Sequence, residues 1–575
     1  MNIQKRIARL QWLRKSIIGR NKIISTPYGK RPLLYADFTA SGRAVDFIEE
    51  YLCYLMQFYA NTHTKDDFTG KTMTERLHQA EMKIKDLVNA GEQGRIIFAG
   101  TGATGGVARL QQILGVYWSP STRNRLMEFI DQCEDKEEAH NLQRYIKEHQ
   151  PVVFVSSYEH HSNEIMWRHT LCDVVEIPLN EEGYLDLEVL ERLLVDKKYK
   201  DRDKIGSFSA ASNVTGIRTP VYKVARILHK HGAIACFDFA ACAPYVEINM
   251  NKDEQSYFDA IFLSPHKFLG GPGSSGLLIF NEKIYHKELP PTISAGGTVM
   301  FVNFKKELFS ENIEEREKPG TPGILQNIKA SLAFDLKEKV GVETISQIER
   351  FYLKRFQQAF QDHEKMIFYG PQNPDKKINI IPFNIQHKDR WLHPKFVTRL
   401  LNDLFGIQTR AGCLCAGPYG HRLLDIDNKS SEKLLDLIRL KGYGGLKPGW
   451  VRINLHYTLS REELQYIIEA IKFIIDNGDK FLLLYEFDLR TGEWSYISEK
   501  SGSNAILKQD IDAIIQNRAM LKKDPHITVE DPDYESILQK ADEISQKLEM
   551  PGEYISFERD VEDIINFYVC NLSDQ

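Results

Sequence analysis

Lys267 lies in the run Ser264-Pro265-His266-Lys267-Phe268-Leu269-Gly270-Gly271-Pro272-Gly273, directly after an apolar stretch that ends at Leu263. A lysine at the end of a buried strand, beside a histidine and before a glycine turn, is poorly placed for a solvated surface charge. A partly desolvated amine loses proton affinity and becomes nucleophilic near neutral pH. Such an amine can form a Schiff base with an aldehyde cofactor; if that aldehyde is pyridoxal phosphate, the residues that follow find roles around it. Alone, Lys267 also reads as a solvated lysine capping a strand; its companions along the chain decide between the two.

Gly100-Thr101-Gly102-Ala103-Thr104-Gly105-Gly106 follows one apolar run and opens a helical pattern. Glycines let backbone approach a ligand closely, and a helix N-terminus offers N–H groups to an anion, so this turn is a phosphate cradle by its physics. Glycine-rich strand–helix turns are common, so the motif is weak by itself. Asp238 ends the apolar run Ala233–Phe237. An acid there is costly unless paired, and a protonated pyridine nitrogen is a fitting partner; helix N-capping is the alternative. Glu159-His160-His161-Ser162-Asn163 offers an imidazole to stack on a ring and handle protons. Asn213, in Ser212-Asn213-Val214-Thr215-Gly216, offers a donor to a ring hydroxyl or simply builds a turn. Arg410-Ala411-Gly412-Cys413-Leu414-Cys415-Ala416-Gly417-Pro418 combines an arginine able to grip a carboxylate with cysteines on a glycine-flanked loop. No second Cys/His cluster stands near Cys413 and Cys415 to complete four ligands, so no metal is expected.

Parallel sheet must carry these residues. The apolar runs Arg95–Phe98, Val152–Ser157, Val174–Pro178, Gly206–Ser212, Ala233–Phe239, Ala260–Ser264 and Gly276–Phe280 are mostly continuous rather than alternating, as in strands covered on both faces. Helical patterns such as Val221, Val224, Ala225 and Leu228 separate them, which predicts a doubly wound sheet. Ligands on such sheets bind at the carboxyl ends of the strands, where the distinctive residues fall. After residue 305 long helical stretches precede mixed elements, a second and smaller α+β domain. The expected boundaries are 1–45 for an N-terminal helical arm that packs with the small domain, 46–304 for the large domain, 305–490 for the small one and 491–575 for an acidic helical extension. A hairpin is expected over Leu482–Tyr496, with its turn at Thr491-Gly492.

The chain has 575 residues, 42% hydrophobic and 27% charged, with a net charge of -5. That balance gives no case for nucleic acid or an anionic membrane, and no apolar run is long enough to span a bilayer. Eight cysteines in this length do not make a disulfide framework, which points to a reducing, cytoplasmic setting. The first twenty residues hold six basic and no acidic residues, with Ile3, Ile7, Leu10, Leu13 and Ile17 at helical spacing. The expectation is a helix docked on the protein body, with a mitochondrial transit segment as the alternative.

Taken together, these motifs resemble the class V aminotransferase family of pyridoxal-phosphate enzymes, and within it the cysteine desulfurases and selenocysteine lyases. The resemblance runs from about Pro32 to Thr458. It includes Tyr35–Ser41, Tyr59-Ala60-Asn61-Thr62-His63, Gly296-Gly297-Thr298 and Pro319-Gly320-Thr321-Pro322, with the motifs above, in order. It implies the aspartate-aminotransferase-like fold (fold type I), with a mainly parallel seven-stranded sheet, and a homodimer. By position Lys267 resembles the Schiff-base lysine, His160 the ring-stacking residue with His161 as fallback, and Asp238 the pyridine-nitrogen partner. Asn213 lies near the ring. Ala103, Thr104, Ser264 and His266 match phosphate binders, and Thr298 the residue that reaches a phosphate in the other subunit. Arg410 matches the substrate-carboxylate clamp, with Asn61 and His63 also on the substrate side, and Cys415 the cysteine that takes up sulfur as a persulfide. The implied activity is conversion of L-cysteine to alanine, with a sulfur-acceptor protein as a partner. Other class V reactions (transamination, epimerisation, β-elimination), a non-catalytic scaffold, and a sulfur donor to a dedicated acceptor such as a molybdenum cofactor or an iron–sulfur scaffold are the rivals. Two departures stand out. Ala241 sits where desulfurases usually carry a glutamine that touches the ring oxygen, and Cys413 sits where a non-thiol is usual.

Overall fold

The structure, a computed structural model, describes residues 3–62, 64–412, 415–498, 510–518 and 531–573. Contacts divide it into two compact units: one of residues 39–346 with 376–378, the other of 1–38, 347–375 and 379–575.

The first unit holds a seven-stranded sheet made of all seven expected runs: β1 Gly94–Gly100, β2 Val152–Ser156, β3 Asp173–Ile177, β4 Lys204–Ser209, β5 Ile234–Asp238, β6 Ala260–Leu263 and β7 Gly276–Asn281. Their order is β1-β7-β6-β5-β4-β2-β3. From β6 to β3 every neighbour is parallel, while β7 runs antiparallel to both β1 and β6. Helices supply both covers, so the central strands are apolar on both faces; all of β2 and β6 is buried. The helix Val221–Lys230 shows the local logic. It buries Val224, Ala225 and Leu228 on one face and leaves its lysines outside. Burying Val224 or Leu228 in this way contributes about 1.5–3 kcal/mol each. The unit also takes in the helix Ile324–Val340, which the sequence-based boundary at 304/305 assigns to the second domain.

The second unit is built on antiparallel strands β8 Met366–Phe368, β9 Ile380–His387, β10 Arg410–Gly412 and β11 Trp450–Asn454, in the order β8-β9-β11-β10. Helices Pro394–Phe405 and Arg461–Asn477 lay apolar faces on its core. Both chain ends contribute. The N-terminal helix Ile3–Lys15 leads into a docked segment: Leu13 and Ile17 are buried, Arg14 donates to the Thr458 and Leu459 carbonyls, and Arg20 pairs with Glu463. Leu34-Tyr35 runs parallel to Ile407-Gln408. The expected hairpin is present as Tyr485–Phe487 against Trp494–Tyr496. The extension from 531 to 573 is part of the core, since Ile537, Ala541, Val561, Ile565, Phe567 and Val569 are all buried within it. Its backbone also meets two strand edges, with Trp391 N–H donating to Asn566 O and Phe487 N–H to Asn571 O. Among the described residues no helix is long and apolar enough to cross a membrane.

Candidate active site

In the first unit the site grows from the carboxyl ends of the strands. β6 ends at Leu263, and the next residues turn through a short 3₁₀ segment, Pro265–Lys267, that brings Lys267 to a half-buried position. The turn is tight. A Cβ on Gly271 would lie 1.9 Å from the Pro265 carbonyl oxygen, so only glycine fits. Ser41 and Gly42 close over it: the Ser41 hydroxyl and the Gly42 N–H donate to the His266 carbonyl, at 3.1 and 2.9 Å.

The glycine turn after β1 meets this loop. Ser264 Oγ accepts from the Ala103 N–H at 2.9 Å, and a Cβ on Gly102 would come within 2.9 Å of Ser264 Oγ and 3.6 Å of His266 Nε2. The turn lies directly on β7, where a Cβ at Gly276 would be 2.0 Å from the Gly102 carbonyl oxygen. A helix N-terminus, the Ser264 hydroxyl, the exposed Thr104 and the His266 imidazole thus converge on one spot. Burial, reinforced by the charge of Lys267, pulls His266 down to about 4, so it is neutral at physiological pH.

Asp238 ends β5, only 4% exposed. Burial raises its pKa, opposed by the Ala240 N–H on Oδ1 (2.8 Å) and by the positive charge of Lys267. A carboxyl so placed calls for a cationic partner in the site. Asn213 is buried in the loop beyond β4, and Ala241 is buried just beyond Asp238 with an apolar methyl in place of a donor.

His160 follows β2. Its Nδ1 accepts from the Ser162 N–H at 3.1 Å, which leaves Nε2 to carry the proton of the neutral ring. The Ser162 hydroxyl, also 3.1 Å from His160 Nδ1, stands 2.7 Å from the Thr104 hydroxyl, tying the imidazole to the anion cradle. His161 is half-buried, with its pKa lowered mainly by burial. Asn61 is exposed and donates to Thr321 Oγ1 at 3.1 Å. Thr298 is buried, and its hydroxyl donates to the Ala295 carbonyl at 2.7 Å, within its own loop.

In the second unit, Arg410 on β10 presents a side chain that is 54% exposed, and its Nε donates to Asp37 Oδ2 at 2.8 Å. The other oxygen of Asp37 accepts from Arg452, 5% exposed, also at 2.8 Å. Two arginines therefore share one buried carboxylate. Asp37 raises the Arg410 pKa, assisted by the nearby Cys415, and burial opposes it. Cys415 is exposed and holds φ +59°, a left-handed conformation that is uncommon for a side chain of this kind. Of the residues expected here, His63 lies outside the described residues, as does Cys413. Sequence reasoning missed Arg452, Asp37 as its bridge, and Ser162. Asp37 and Ser162 stand inside quoted motifs, but their roles depend on partners far along the chain.

The chain matches the family model "Aminotransferase class-V" over residues 138–467, more than half its length. The chain belongs to the class V aminotransferase family. Among curated relatives, it is 27% identical over 392 residues to a "Probable cysteine desulfurase" of Halalkalibacterium halodurans, covering 67% of this chain and 85% of that one. It is 26% identical over 395 residues to a protein of the same description from Staphylococcus aureus, covering 68% and 84%. Among solved structures, it resembles the apo cysteine desulfurase of Thermococcus onnurineus NA1 with a TM-score of 0.61 at 23% identity, over 77% of this chain and 95% of that one. It also resembles the Escherichia coli cysteine desulfurase CsdA (S-sulfonic acid form), TM-score 0.58 at 18% identity, over 77% and 94%. These two structures share the class V enzyme's fold, α/β of type I.

The first unit suits pyridoxal phosphate. Its donor set is right for a dianionic phosphate at a helix N-terminus, and its buried acid is right for a pyridinium nitrogen.

Proposed function

We propose that this protein is a pyridoxal-phosphate-dependent cysteine desulfurase, which releases alanine from L-cysteine and leaves the sulfur as a persulfide on Cys415. The observation that carries this is the pairing, in one unit, of the Asp37-braced Arg410 with an exposed Cys415 five residues on, in a chain of the class V family. The cofactor, when bound, supplies an electron sink for the substrate α-carbon.

Lys267 is the amine that would hold the cofactor and could carry protons. Ala103, Thr104, Ser264 and His266 would take the phosphate. Asp238 would meet the ring nitrogen, and Asn213 would serve the ring hydroxyl. His160 would lie against the ring, with a proton at Nε2. Arg410 takes the substrate carboxylate, and Asn61 and His63 are further substrate residues by the family resemblance. The Cys415 thiolate attacks the substrate sulfur; the S–Cβ bond breaks, its electron pair stays with the substrate carbon, and a proton completes the methyl group of alanine. The exposed, glycine-flanked loop suits a thiol that must travel.

A homodimer belongs to the same proposal. The hairpin of Val299–Val302 and Glu307–Phe309 exposes Met300, Phe301, Val302 and Phe304, an apolar surface that a second copy would cover, with Thr298 at its base. A sulfur-acceptor protein and a cytoplasmic location complete it, the latter supported by free thiols at all seven described cysteines.

The test is alanine release from L-cysteine with reductant present, for the protein and its Cys415→Ala variant. Alanine from the first and almost none from the second is the expected result. A second reading, another class V reaction (transamination, epimerisation or β-elimination) with no role for Cys415, has a specific observation behind it: buried Ala241 offers no hydrogen bond where desulfurases use glutamine. Full turnover of a non-sulfur amino acid by Cys415→Ala would favour that reading and remove Cys415 from the mechanism.

A further inference from the structure

We infer that Glu159 is a positioning residue, a buried carboxyl group that fixes the His160 imidazole against the anion cradle. Its carboxyl group is 3% exposed and receives only donors. Ser156 gives its N–H (3.2 Å) and hydroxyl to Oε1. Ser209 gives its N–H to both oxygens (2.8 and 2.9 Å) and its hydroxyl to Oε2 (2.6 Å). Asn163 gives its amide to Oε2 (2.7 Å).

Burial raises the Glu159 carboxyl to about 7, and the hydrogen bonds from Ser156, Ser209 and Asn163 oppose that rise; the Ser156 N–H on Oε1 and the Asn163 amide on Oε2 require an acceptor at each oxygen. The orientation of Asn163 leaves no freedom to swap donor for acceptor, because its Oδ1 accepts from Ser207 Oγ at 2.6 Å and from Trp167 Nε1 at 3.1 Å. The donors come from three places: the end of β2, the end of β4, and the turn that starts at His161. Glu159 therefore clamps the two strand ends and the turn that flank His160, whose Nδ1 is held in turn by Ser162 and, through it, by Thr104. Replacing the carboxylate by an amide turns an NH₂ group toward donors and forces the loop to shift.

The inference rests on the pyridoxal-phosphate reading of the site, and the experiment separates the two. The holoenzyme and its Glu159→Gln, His160→Ala and double variants are compared by visible absorbance and circular dichroism of the bound cofactor and by steady-state kinetics with L-cysteine. Glu159→Gln is expected to shift the cofactor dichroism as His160→Ala does, and to lower kcat about tenfold or more with KM within about threefold. In the His160→Ala background the same change is expected to alter neither spectrum nor kcat by more than about twofold, because its effect runs through the ring. An equal loss in both backgrounds, or an unchanged dichroism in the single variant, overturns the inference. Should Glu159→Gln not fold, Ser209→Ala, which removes one donor from the same carboxylate, is read by the same cycle. No visible band in the unmodified protein supplied with pyridoxal phosphate would instead sink the cofactor reading itself.

Discussion

Asp37 is the carboxylate that both Arg410 and Arg452 share in the second unit. It neutralises the buried Arg452 on one oxygen and steadies the exposed Arg410 on the other. Removing its charge leaves a buried guanidinium without a counter-charge, which typically costs about 3–5 kcal/mol. Asp37→Asn is therefore expected to lower the melting temperature markedly. In whatever fraction stays folded, KM for the amino acid should rise about tenfold, because Arg410 loses its brace. A variant with wild-type melting and KM would show that the two arginines are held by something else. This bridge was not legible in the sequence, since Asp37 and Arg452 lie 415 residues apart and either alone is an ordinary charged residue. The positions of Lys267 and Asp238 were legible for the opposite reason: each is an ionisable group at the end of an apolar run, and the structure places Asp238 at the end of β5 and Lys267 just beyond β6.

At the scale of elements, the parallel strands were readable because two-sided burial leaves continuous apolar runs. Their ends were less so; β2 stops at Ser156 and β4 at Ser209, short of the expected Ser157 and Ser212, where both serines turn to the Glu159 carboxylate. The helix Pro394–Phe405 carries a prediction of its own. Its N-cap is His393, fully buried, whose Nδ1 accepts the Lys395 N–H while Nε2 faces the Gly445 carbonyl. Burial takes this imidazole down to about 3. The unfolded chain thus takes up the proton first as pH falls below 6.5, so the folded state loses stability from there downward until pH nears the folded value. By pH 5 that loss amounts to about 2 kcal/mol from this group. His393→Asn keeps a capping acceptor and does not titrate. Its unfolding free energy, measured by denaturant titration at pH 7 and pH 5, should fall less than wild type by about that amount, and an identical fall in both proteins would contradict the assignment.

For the whole molecule, the extension beyond 490 was legible only as an acidic helical stretch, because nothing local marks which core its apolar residues join. Several of them go to the core of the second unit: Phe567 packs edge-on against Phe487 and His393, at 5.3 and 4.4 Å between ring centres. Phe567→Ala is expected to cost about 3–5 kcal/mol, seen as a lower midpoint in thermal or urea unfolding. An unchanged midpoint would mean that the extension is an ornament rather than a wall. The same arrangement sets an order of events during synthesis. Residues 39–346 are nearly continuous and can condense as soon as they leave the ribosome. The other unit cannot, because Leu34 waits for Ile407, and their shared core waits again for Val569. The unit that holds Cys415 is thus finished last, so a chain cut short before Val569 carries the first unit's sheet complete and the second unit's core still open.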